Sequence, residues 1–288
     1  MILLDFNGVV ISSILYVHRQ NVQMTEDSIR RVILSTIIYY KKKFAQEYGE
    51  LIICIDSREY WRTSIFPYYK GCRKQQKEES AYDWDLIYKT FDKVKVELAM
   101  YFPYKMVECN GAEADDVIGI IVKSLASNLF LDSVKTPVLI VSSDKDFAQL
   151  LKYTGVKQFS PSLKTFVGKP PKSVLFEHIC RGDRGDGVPN ILSEDNVFVI
   201  PGLRQNRLTS KRIDQLIAAE DFLAEMTDME RRNYYRNKKM IDFEEIPQDI
   251  TNKVLDKYNT AKAGSKNKIL SYFVKFKLGE FMDELKYI

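Results

Sequence analysis

The sequence predicts an α/β protein in which a central, mostly parallel sheet is followed by a smaller helical C-terminal domain. Three short apolar runs, MILLDF, ELIICIDS and TPVLIVSSDKDF, contain or end in acidic residues and are typical of buried parallel strands. After about residue 170 such runs fade, and the chain becomes polar and helical in pattern. We therefore expect two domains, residues 1–170 and residues 171–288.

The segments between the predicted strands have the spacing of helices. Apolar residues recur every three or four positions in residues 29–40, 82–101 and 113–125. Strands that alternate with helices form right-handed units, which predicts helices on both faces of the sheet. In such sheets, binding sites form at the carboxyl ends of the strands.

Composition excludes several protein classes. With 288 residues, 45% hydrophobic and 28% charged, the chain is typical of a globular protein rather than a disordered one. It has no apolar run of the roughly 18 residues that a membrane helix needs, and its start has no basic leader, so we expect a cytoplasmic protein without a membrane contact. Four cysteines without a CxxC pair and two histidines argue against structural zinc.

Acidic residues lie at the carboxyl ends of the predicted strands. Asp5 ends the first strand, Asp56 ends the second, and Asp144 with Asp146 follow the third. Three separate strands thus deliver carboxylates to one edge. Two further pairs lie at the start of the third predicted helix and in the second domain, and the full set is Asp5, Asp56, Glu113, Asp115, Asp144, Asp146, Asp183 and Asp186.

Whether the members of each further pair can act at one site depends on the local backbone structure. Glu113 and Asp115 are two residues apart, so both reach one site only if Glu113 lies before the first helical turn. Asp183 and Asp186 share a face if their segment is helical. Oxygen ligands without histidine or cysteine favour hard cations, and we expect two Mg²⁺ ions, for which Mn²⁺ can substitute.

Each acid also has a simpler explanation. Glu113, Asp115 and Asp116 can complement the positive end of a helix, and for Asp116 we prefer that interpretation. Asp146 can cap the segment FAQLL, and Asp183 with Asp186 can be solvated turn residues. The joint occurrence of acids at three strand ends favours the metal site. Without the eight acids, 31 acidic residues remain against 43 basic ones, a balance of +12 that suits a polyanionic substrate.

Several strings resemble the 5′-nuclease (flap endonuclease) superfamily, and within it the phage branch of RNase H-type 5′-to-3′ exonucleases. They are AEADDVIG at 112–119, SSDKDF at 142–147, RGDRGD at 181–186, and the strand ends LLDF and CIDS. The resemblance implies that the eight acids bind metal, directly or through water. It also implies a PIN-like nuclease domain, a basic arch at about residues 58–100, and a helix-turn-helix-like DNA-binding element in the C-terminal domain.

The segment from Arg58 to Lys77 supports the arch independently, because six basic residues alternate with aromatic ones and only one acid. Cations bind phosphates and aromatic rings stack on unpaired bases, although Trp61 and Phe66 can equally pack on the core. The stretch at residues 69–73 resembles the family's Tyr-Lys-x-x-Arg, which implies that Lys70 and Arg73 are electrostatic catalysts. We expect Tyr69 and Lys74 to contact nucleic acid.

A second basic segment, residues 196–213, contains four basic residues and no acid. IPGL predicts a glycine turn and LTSKR a helix start. The segment resembles the family's duplex clamp, and the alternative is a basic solvated loop. The residues expected to bind DNA here are Arg204, Arg207, Lys211 and Arg212.

These observations predict a Mg²⁺-dependent 5′-to-3′ exonuclease and flap endonuclease that removes RNA primers and DNA flaps near 5′ ends during replication. Its expected partners are DNA with 5′ flaps or nicks and RNA–DNA hybrids, with a single-stranded DNA-binding protein or a sliding clamp as candidate protein partners of a monomer. One alternative is a PIN-type endoribonuclease. Another is a catalytically inactive protein that binds DNA junctions, but none of the eight acids is replaced.

Overall fold

The larger of two compact units has a six-stranded sheet at its centre in the computed structural model, which describes residues 1–128 and 137–288. This unit comprises Met1–Arg58, Asp83–Lys169 and Thr251–Ile288, and the smaller unit comprises Glu59–Tyr82 and Pro170–Ile250. Each unit is assembled from segments that are distant in sequence. The domain division at residue 170 stays a prediction.

The strands are β1 (Ile2–Asp5), β2 (Leu51–Ile55), β3 (Lys105–Glu108), β4 (Val138–Val141), β5 (Val156–Ser160) and β6 (Thr165–Phe166). They lie in the order β3-β2-β1-β4-β5-β6, and only β6 runs antiparallel to its neighbour. Every residue of β2 and β4 is buried. Because successive side chains point to opposite faces, this burial shows that the middle of the sheet is covered on both sides. The predicted α/β class is confirmed.

The α-helices in chain order are α1 (Phe6–Arg19), α2 (Glu26–Tyr48), α3 (Trp61–Ile65), α4 (Arg73–Glu78), α5 (Trp84–Tyr101), α6 (Ala114–Asn128), α7 (Val174–Arg181), α8 (Ser210–Ala218), α9 (Asp228–Ile241), α10 (Gln248–Thr260) and α11 (Ile269–Lys275). Short 3₁₀ helices cover Lys145–Lys152, Phe243–Glu245, Lys266–Lys268 and Gly279–Tyr287. The predicted helices at 29–40, 82–101 and 113–125 correspond to α2, α5 and α6. Helix α2 begins earlier than its apolar pattern because Thr25 and Ser28 form a capping box.

Strands β3, β5 and β6 were not predicted, and each lies outside the fully buried middle of the sheet. Two of the four residues of β3 are half-buried and one is exposed, while both residues of β6 are exposed. Their polar side chains give no continuous apolar run, and backbone pairing with neighbouring strands defines them instead. Thr136, the first residue of the third predicted strand run, lies outside the described residues.

The smaller unit has its own core, formed largely by helices α7, α8 and α9 and by residues of the first basic segment. Phe66 and Tyr69 are 3% and 4% exposed and pack in the same cluster as Ile179, Ile213 and Tyr234. Phe66 therefore packs on the core. Residues 171–288, all of which are described, contain no strand and only one isolated bridge, between Asp183 and Val188. The predicted helical character of the C-terminal part is confirmed.

Candidate metal centre and nucleic-acid interface

The parallel register places the first acids at one edge of the sheet. Leu4 pairs with both Ile53 of β2 and Val141 of β4, so β1 ends level with its two neighbours. Asp5 is the last residue of β1, Asp56 directly follows β2, and Asp144 is three residues past β4. The carboxyl ends of these strands therefore carry the predicted acids together.

One serine hydroxyl joins two of these strand ends. Ser142 Oγ donates to Asp5 Oδ2 at 2.7 Å and accepts from the Asp144 backbone amide at 3.0 Å. Gln158 on β5 donates its side-chain amide to the carbonyl oxygens of Ser142 and Asp144, at 3.0 and 2.7 Å. Neither Ser142 nor Gln158 was predicted as a site residue. Their polar side chains at buried positions, within or next to strands, were the available signal.

Asp56 connects the end of β2 to the start of α6. Its Oδ1 accepts from the Ala114 amide at 2.7 Å, and its own amide donates to Asn7 Oδ1 at 3.2 Å. The carboxylate therefore satisfies a free N–H of the first helical turn, where negative charge is also favoured by the helix dipole.

Glu113 lies directly before α6. This is the position from which it can share a site with Asp115. Carboxylate oxygens of Glu113, Asp115 and Asp116 lie within 4.8 Å of one another. Asp116 Oδ2 accepts from the Glu113 amide at 3.1 Å, which is the helix-start role preferred for this residue. Glu113 is only 1% exposed. A buried carboxylate among other carboxylates needs cations nearby, so this group can hold a metal.

Asp144 and Asp146 are linked at the start of the 3₁₀ helix that follows β4. Asp144 Oδ1 accepts from the Asp146 amide at 2.8 Å, so Asp144 caps this helix, and the capping role considered for Asp146 is wrong. Asp146 itself is 8% exposed.

Electrostatic repulsion among the strand-end acids is visible at Asp5. Burial, followed by the charges of Asp56 and Asp144, raises the pKa of Asp5 to about 7, against the opposing hydrogen bonds from Ser142 and Gly8. The larger unit thus concentrates six of the predicted acids where at least one carboxylate resists ionisation. Bound divalent cations would offset this repulsion, and an all-oxygen ligand set suits hard cations.

The remaining two acids lie in the smaller unit, in a turn after α7 rather than in a helix. Asp183 Oδ1 accepts from the amides of Gly185 and Asp186, at 2.7 and 3.2 Å. His178 Nε2 lies 3.3 Å from Asp183 Oδ2. His178 is not among the residues predicted for the site. The contact between His178 and Asp183 could not be predicted from their spacing, because it depends on α7 ending at Arg181 and on Asp183 lying in the turn that follows.

Asp186 is surrounded by residues of the first basic segment. Arg73 donates to its Oδ1 at 2.6 Å, Tyr69 donates its hydroxyl to Oδ2 at 2.9 Å, and Lys70 Nζ lies 3.9 Å from Oδ1. Lys70 has a positive φ of 56°, and its amide donates to the Asp186 carbonyl at 2.7 Å. The predicted catalytic cations are therefore fixed around one predicted metal-binding acid. Tyr69 is 4% exposed and packs in the core cluster of the smaller unit. Its predicted contact with nucleic acid stays a prediction.

The other predicted DNA-binding residues divide into exposed and engaged side chains. Lys74, Arg204, Arg207 and Lys211 are exposed. Arg212 is half-buried and donates to the Glu225 carbonyl at 2.6 Å, with Glu230 at 3.4 Å. Helix α8 begins at Ser210 with Thr209 as its cap, after a turn at Gly202, as the sequence predicted.

Comparison with known proteins identifies the family. Residues 2–171 match the family model described as 5′-3′ exonuclease, N-terminal resolvase-like domain. The chain belongs to the 5′-to-3′ exonuclease family. Residues 171–287 of this exonuclease match the family model described as T4 RNase H, C terminal. The chain is 31% identical to the Ribonuclease H of Enterobacteria phage T4 over 292 residues, which cover 98% of this chain and 94% of that protein.

Solved structures share the fold of this exonuclease. A bacteriophage T5 flap endonuclease, in a complex with DNA and metal ions, matches with a TM-score of 0.60 and 15% identity over 90% of this chain and 99% of that chain. The T5 5′-exonuclease with bound zinc ions matches with a TM-score of 0.57 and 15% identity over 90% and 98%. The predicted family and the predicted enzyme class, a metal-dependent 5′-to-3′ nuclease, are confirmed. In the described residues, we find no helix with the length and apolar character that crossing a membrane requires.

Proposed function

We propose that this exonuclease removes RNA primers and 5′ DNA flaps by hydrolysing phosphodiester bonds near 5′ ends during DNA replication. The observation that carries the proposal is the group of acids at the ends of β1, β2 and β4, where Asp56 and Asp144 help to raise the pKa of Asp5. A carboxylate group of this density is unfavourable without cations, and its oxygen ligands suit the metal that phosphodiester hydrolysis uses.

Two Mg²⁺ ions, or Mn²⁺ in their place, are the proposed cofactor. Bound there, they would supply an activated water and would neutralise charge on the phosphodiester. Ser142 and Gln158 hold the Asp5 and Asp144 ends of the site, and Asp56 holds the start of α6. The proposed ligands, directly or through water, are Asp5, Asp56, Glu113, Asp115, Asp144, Asp146, Asp183 and Asp186.

We assign the transition-state cations to Lys70 and Arg73. Both side chains have defined positions beside Asp186, with Lys70 Nζ 3.9 Å from its Oδ1 and Arg73 in an ion pair with it, and electrostatic catalysis requires such fixed cations. Lys74, in contrast, is 87% exposed and lies 3.9 Å from Glu78, so it supplies general attraction for phosphate. Tyr69 belongs to the proposed nucleic-acid-binding set through its position beside Lys70.

Duplex DNA is proposed to bind the exposed cations before and within the start of α8. Arg204, Arg207 and Lys211 form no ion pair with any described residue, so they can contact phosphates directly, whereas Arg212 supports the fold of the same segment through Glu225 and Glu230. In this proposal residues 1–170 form the nuclease domain with its basic arch, and residues 171–288 form the helical DNA-binding domain, which also supplies Asp183 and Asp186. The enzyme would act as a monomer in the host-cell cytoplasm, with a single-stranded DNA-binding protein or sliding clamp as partner.

Cleavage of four end-labelled substrates tests the function: a 5′ flap, a nicked duplex, an RNA–DNA hybrid and a hairpin RNA, each with Mg²⁺ and with chelator. We expect Mg²⁺-dependent cleavage of the first three. Asp144→Asn and Asp56→Asn should each lower turnover by orders of magnitude with duplex binding retained, while Asp256→Asn, at an exposed position on α10, should not. Cleavage of hairpin RNA alone would indicate a PIN-type endoribonuclease. Binding without cleavage would indicate a junction-binding protein.

A further inference from the structure

A basic cavity of about 450 Å³ lies in the larger unit, away from the acidic edge of the sheet. It adjoins Leu51, the first residue of β2, and Tyr104, which directly precedes β3. The predicted acids, in contrast, follow the last residues of the strands. Five residues of β2 separate the two edges, which corresponds to roughly 13 Å along the strand.

Lysines line this cavity in excess over acids. Lys41, Lys266 and Lys286 contribute positive charges, and Glu50 is an acidic residue in the lining. Lys266 and Lys286 form no ion pair within the described part of the chain, and Lys41 Nζ donates to the Gly49 carbonyl at 3.0 Å. A fourth lysine, Lys42, is balanced by Glu284 at 3.1 Å. Three lysines thus share the cavity with one acidic side chain, Glu50.

Two of these lysines, Lys41 and Lys266, repel each other. Burial lowers the pKa of Lys41, Glu50 partly opposes this effect, and the charge of Lys266 lowers the pKa further. Like charges held close together in a half-buried cavity raise the free energy of the folded state. A bound anion would remove this repulsion, and its hydrogen bonds with lysine ammonium groups would be charge-assisted.

The size and walls of the cavity indicate more than a simple anion. Ligand sites of roughly 300–1,000 Å³ take small organic molecules, and a lone phosphate ion would fill little of this space. Pro103 and the half-buried Tyr287 form an apolar and aromatic wall beside the lysines, whereas Tyr104 is only 3% exposed. Aromatic rings next to cations are the combination that binds a nucleobase together with its phosphate.

We propose that this cavity is a second nucleotide-binding site, in which Lys41, Lys266 and Lys286 bind a phosphate and the aromatic wall contacts the base. The ligand is either a free mononucleotide or one nucleotide of a single strand. The site does not depend on the proposed nuclease activity, because it shares no residue with the acidic edge. The cavity would bind a nucleotide in the absence of metal, whereas the carboxylates at the acidic edge of the sheet would repel the nucleotide's phosphate.

Isothermal titration with the full chain in chelator and low salt tests this site. The ligands are thymidine 5′-monophosphate, thymidine, inorganic phosphate and a short 5′-phosphorylated oligothymidylate. The double variant Lys266→Ala/Lys286→Ala should weaken monophosphate binding at least tenfold. The control Lys262→Ala/Lys275→Ala removes the same charge from exposed positions outside the cavity lining and should change binding less than twofold.

Thymidine should not bind, and inorganic phosphate should bind more weakly than the monophosphate. Oligothymidylate that binds more tightly, with the same loss in the cavity variant, would identify a single strand as the ligand; equal affinity would identify the free nucleotide. The proposal is overturned if the monophosphate shows no saturable binding, if both double variants lose equal affinity, or if inorganic phosphate binds as tightly as the nucleotide.

Discussion

At the scale of single residues, the site is a balance of unfavourable charge against a few well-placed donors. Asp5 shows this most clearly, because Ser142 and Gly8 stabilise its ionised form while burial, Asp56 and Asp144 disfavour it. The net result is a pKa of about 7, so burial and the neighbouring charges together outweigh the two hydrogen bonds. The metal-free protein therefore carries a stability cost at the position where its chemistry is proposed.

This cost predicts a pH dependence of stability. The folded pKa of Asp5 is about 7 and the ordinary value is 3.8, so its favourable contribution is complete below about pH 4 and is lost as pH rises through 7. At about 1.4 kcal/mol per unit, Asp5→Asn should raise the unfolding free energy at pH 8 by up to about 4 kcal/mol. Denaturant unfolding in chelator from pH 4 to pH 8 measures the difference between variant and parent.

The difference should vanish near pH 4, and Asp256→Asn, the exposed control, should show none at either pH. A parent protein that gains stability relative to Asp5→Asn as pH rises would contradict the electrostatic origin of the raised pKa.

Lys70 and Arg73 should affect rate more than affinity. A cation fixed beside a phosphate stabilises charge that grows in the transition state, so Lys70→Ala and Arg73→Ala should each lower the single-turnover rate by roughly a hundredfold or more. Lys74→Ala removes the same charge from a side chain that is 87% exposed and should cost far less. Rates at saturating flap substrate, together with binding affinities, make this comparison.

Arg73 also pairs with Asp186, so its effect needs a double-mutant cycle with Asp186→Asn. If Arg73→Ala has the same effect with and without the Asp186 carboxylate, the cation acts directly on the substrate. Equal losses of affinity in all three lysine and arginine variants, with rates unchanged, would withdraw the catalytic assignment.

At the scale of elements, the turn from Gly182 to Val188 positions the acids of the smaller unit. Gly187 has a φ of 72°, and a Cβ there would lie 2.9 Å from the Tyr68 carbonyl oxygen. A side chain would strain the backbone and also push this turn away from the segment that carries Tyr69 and Lys70. Asp186, directly before Gly187, would move with it.

We therefore expect Gly187→Ala to destabilise the protein by about 1–3 kcal/mol and to lower nuclease activity. Gly202→Ala is the matched control, because Gly202 also has a positive φ, of 85°, but among the described residues none beyond its two chain neighbours comes within 4 Å of the added Cβ. Chemical denaturation and turnover measure both variants. Equal destabilisation by the two changes would show that backbone strain, not the close approach to Tyr68, limits this position.

Basic residues before α8 and at the start of that helix should have different roles, some in DNA binding and one in the stability of the fold. The triple variant Arg204→Ala/Arg207→Ala/Lys211→Ala should weaken binding to every duplex sequence and reduce the salt slope by about one per lost phosphate contact. Arg212→Ala should instead lower stability, since Arg212 donates to the Glu225 carbonyl. Affinity measured from 50 to 300 mM salt checks the triple variant, and denaturant unfolding checks Arg212→Ala. An unchanged salt slope in the triple variant would show that these cations do not contact DNA.

At the scale of the whole molecule, metal binding and folding should be linked. Ions that bind only the folded protein raise the unfolding free energy, by about 2.7 kcal/mol at a concentration one hundred times the dissociation constant. We expect Mg²⁺ or Mn²⁺ to raise the melting temperature at pH 8, and chelator to reverse the increase. Calorimetry of the parent and of Asp56→Asn/Asp144→Asn measures it. The same increase in this double variant would place the stabilising ions elsewhere.

The sequence by itself determined the α/β class, the strands β1, β2 and β4, and the acids at the ends of those strands, because buried strands and their terminal carboxylates are local patterns. It did not predict β5, whose Gln158 holds the Ser142–Asp144 segment, because the sequence VKQFS has neither a continuous apolar run nor a regular alternation. The sequence also did not predict that Tyr69, Lys70 and Arg73 surround Asp186. Tyr69 and Asp186 are 117 residues apart, and only tertiary folding brings such distant side chains together. Spacing along the chain carries information about local faces and strand ends, whereas contacts between distant segments depend on how the whole chain packs.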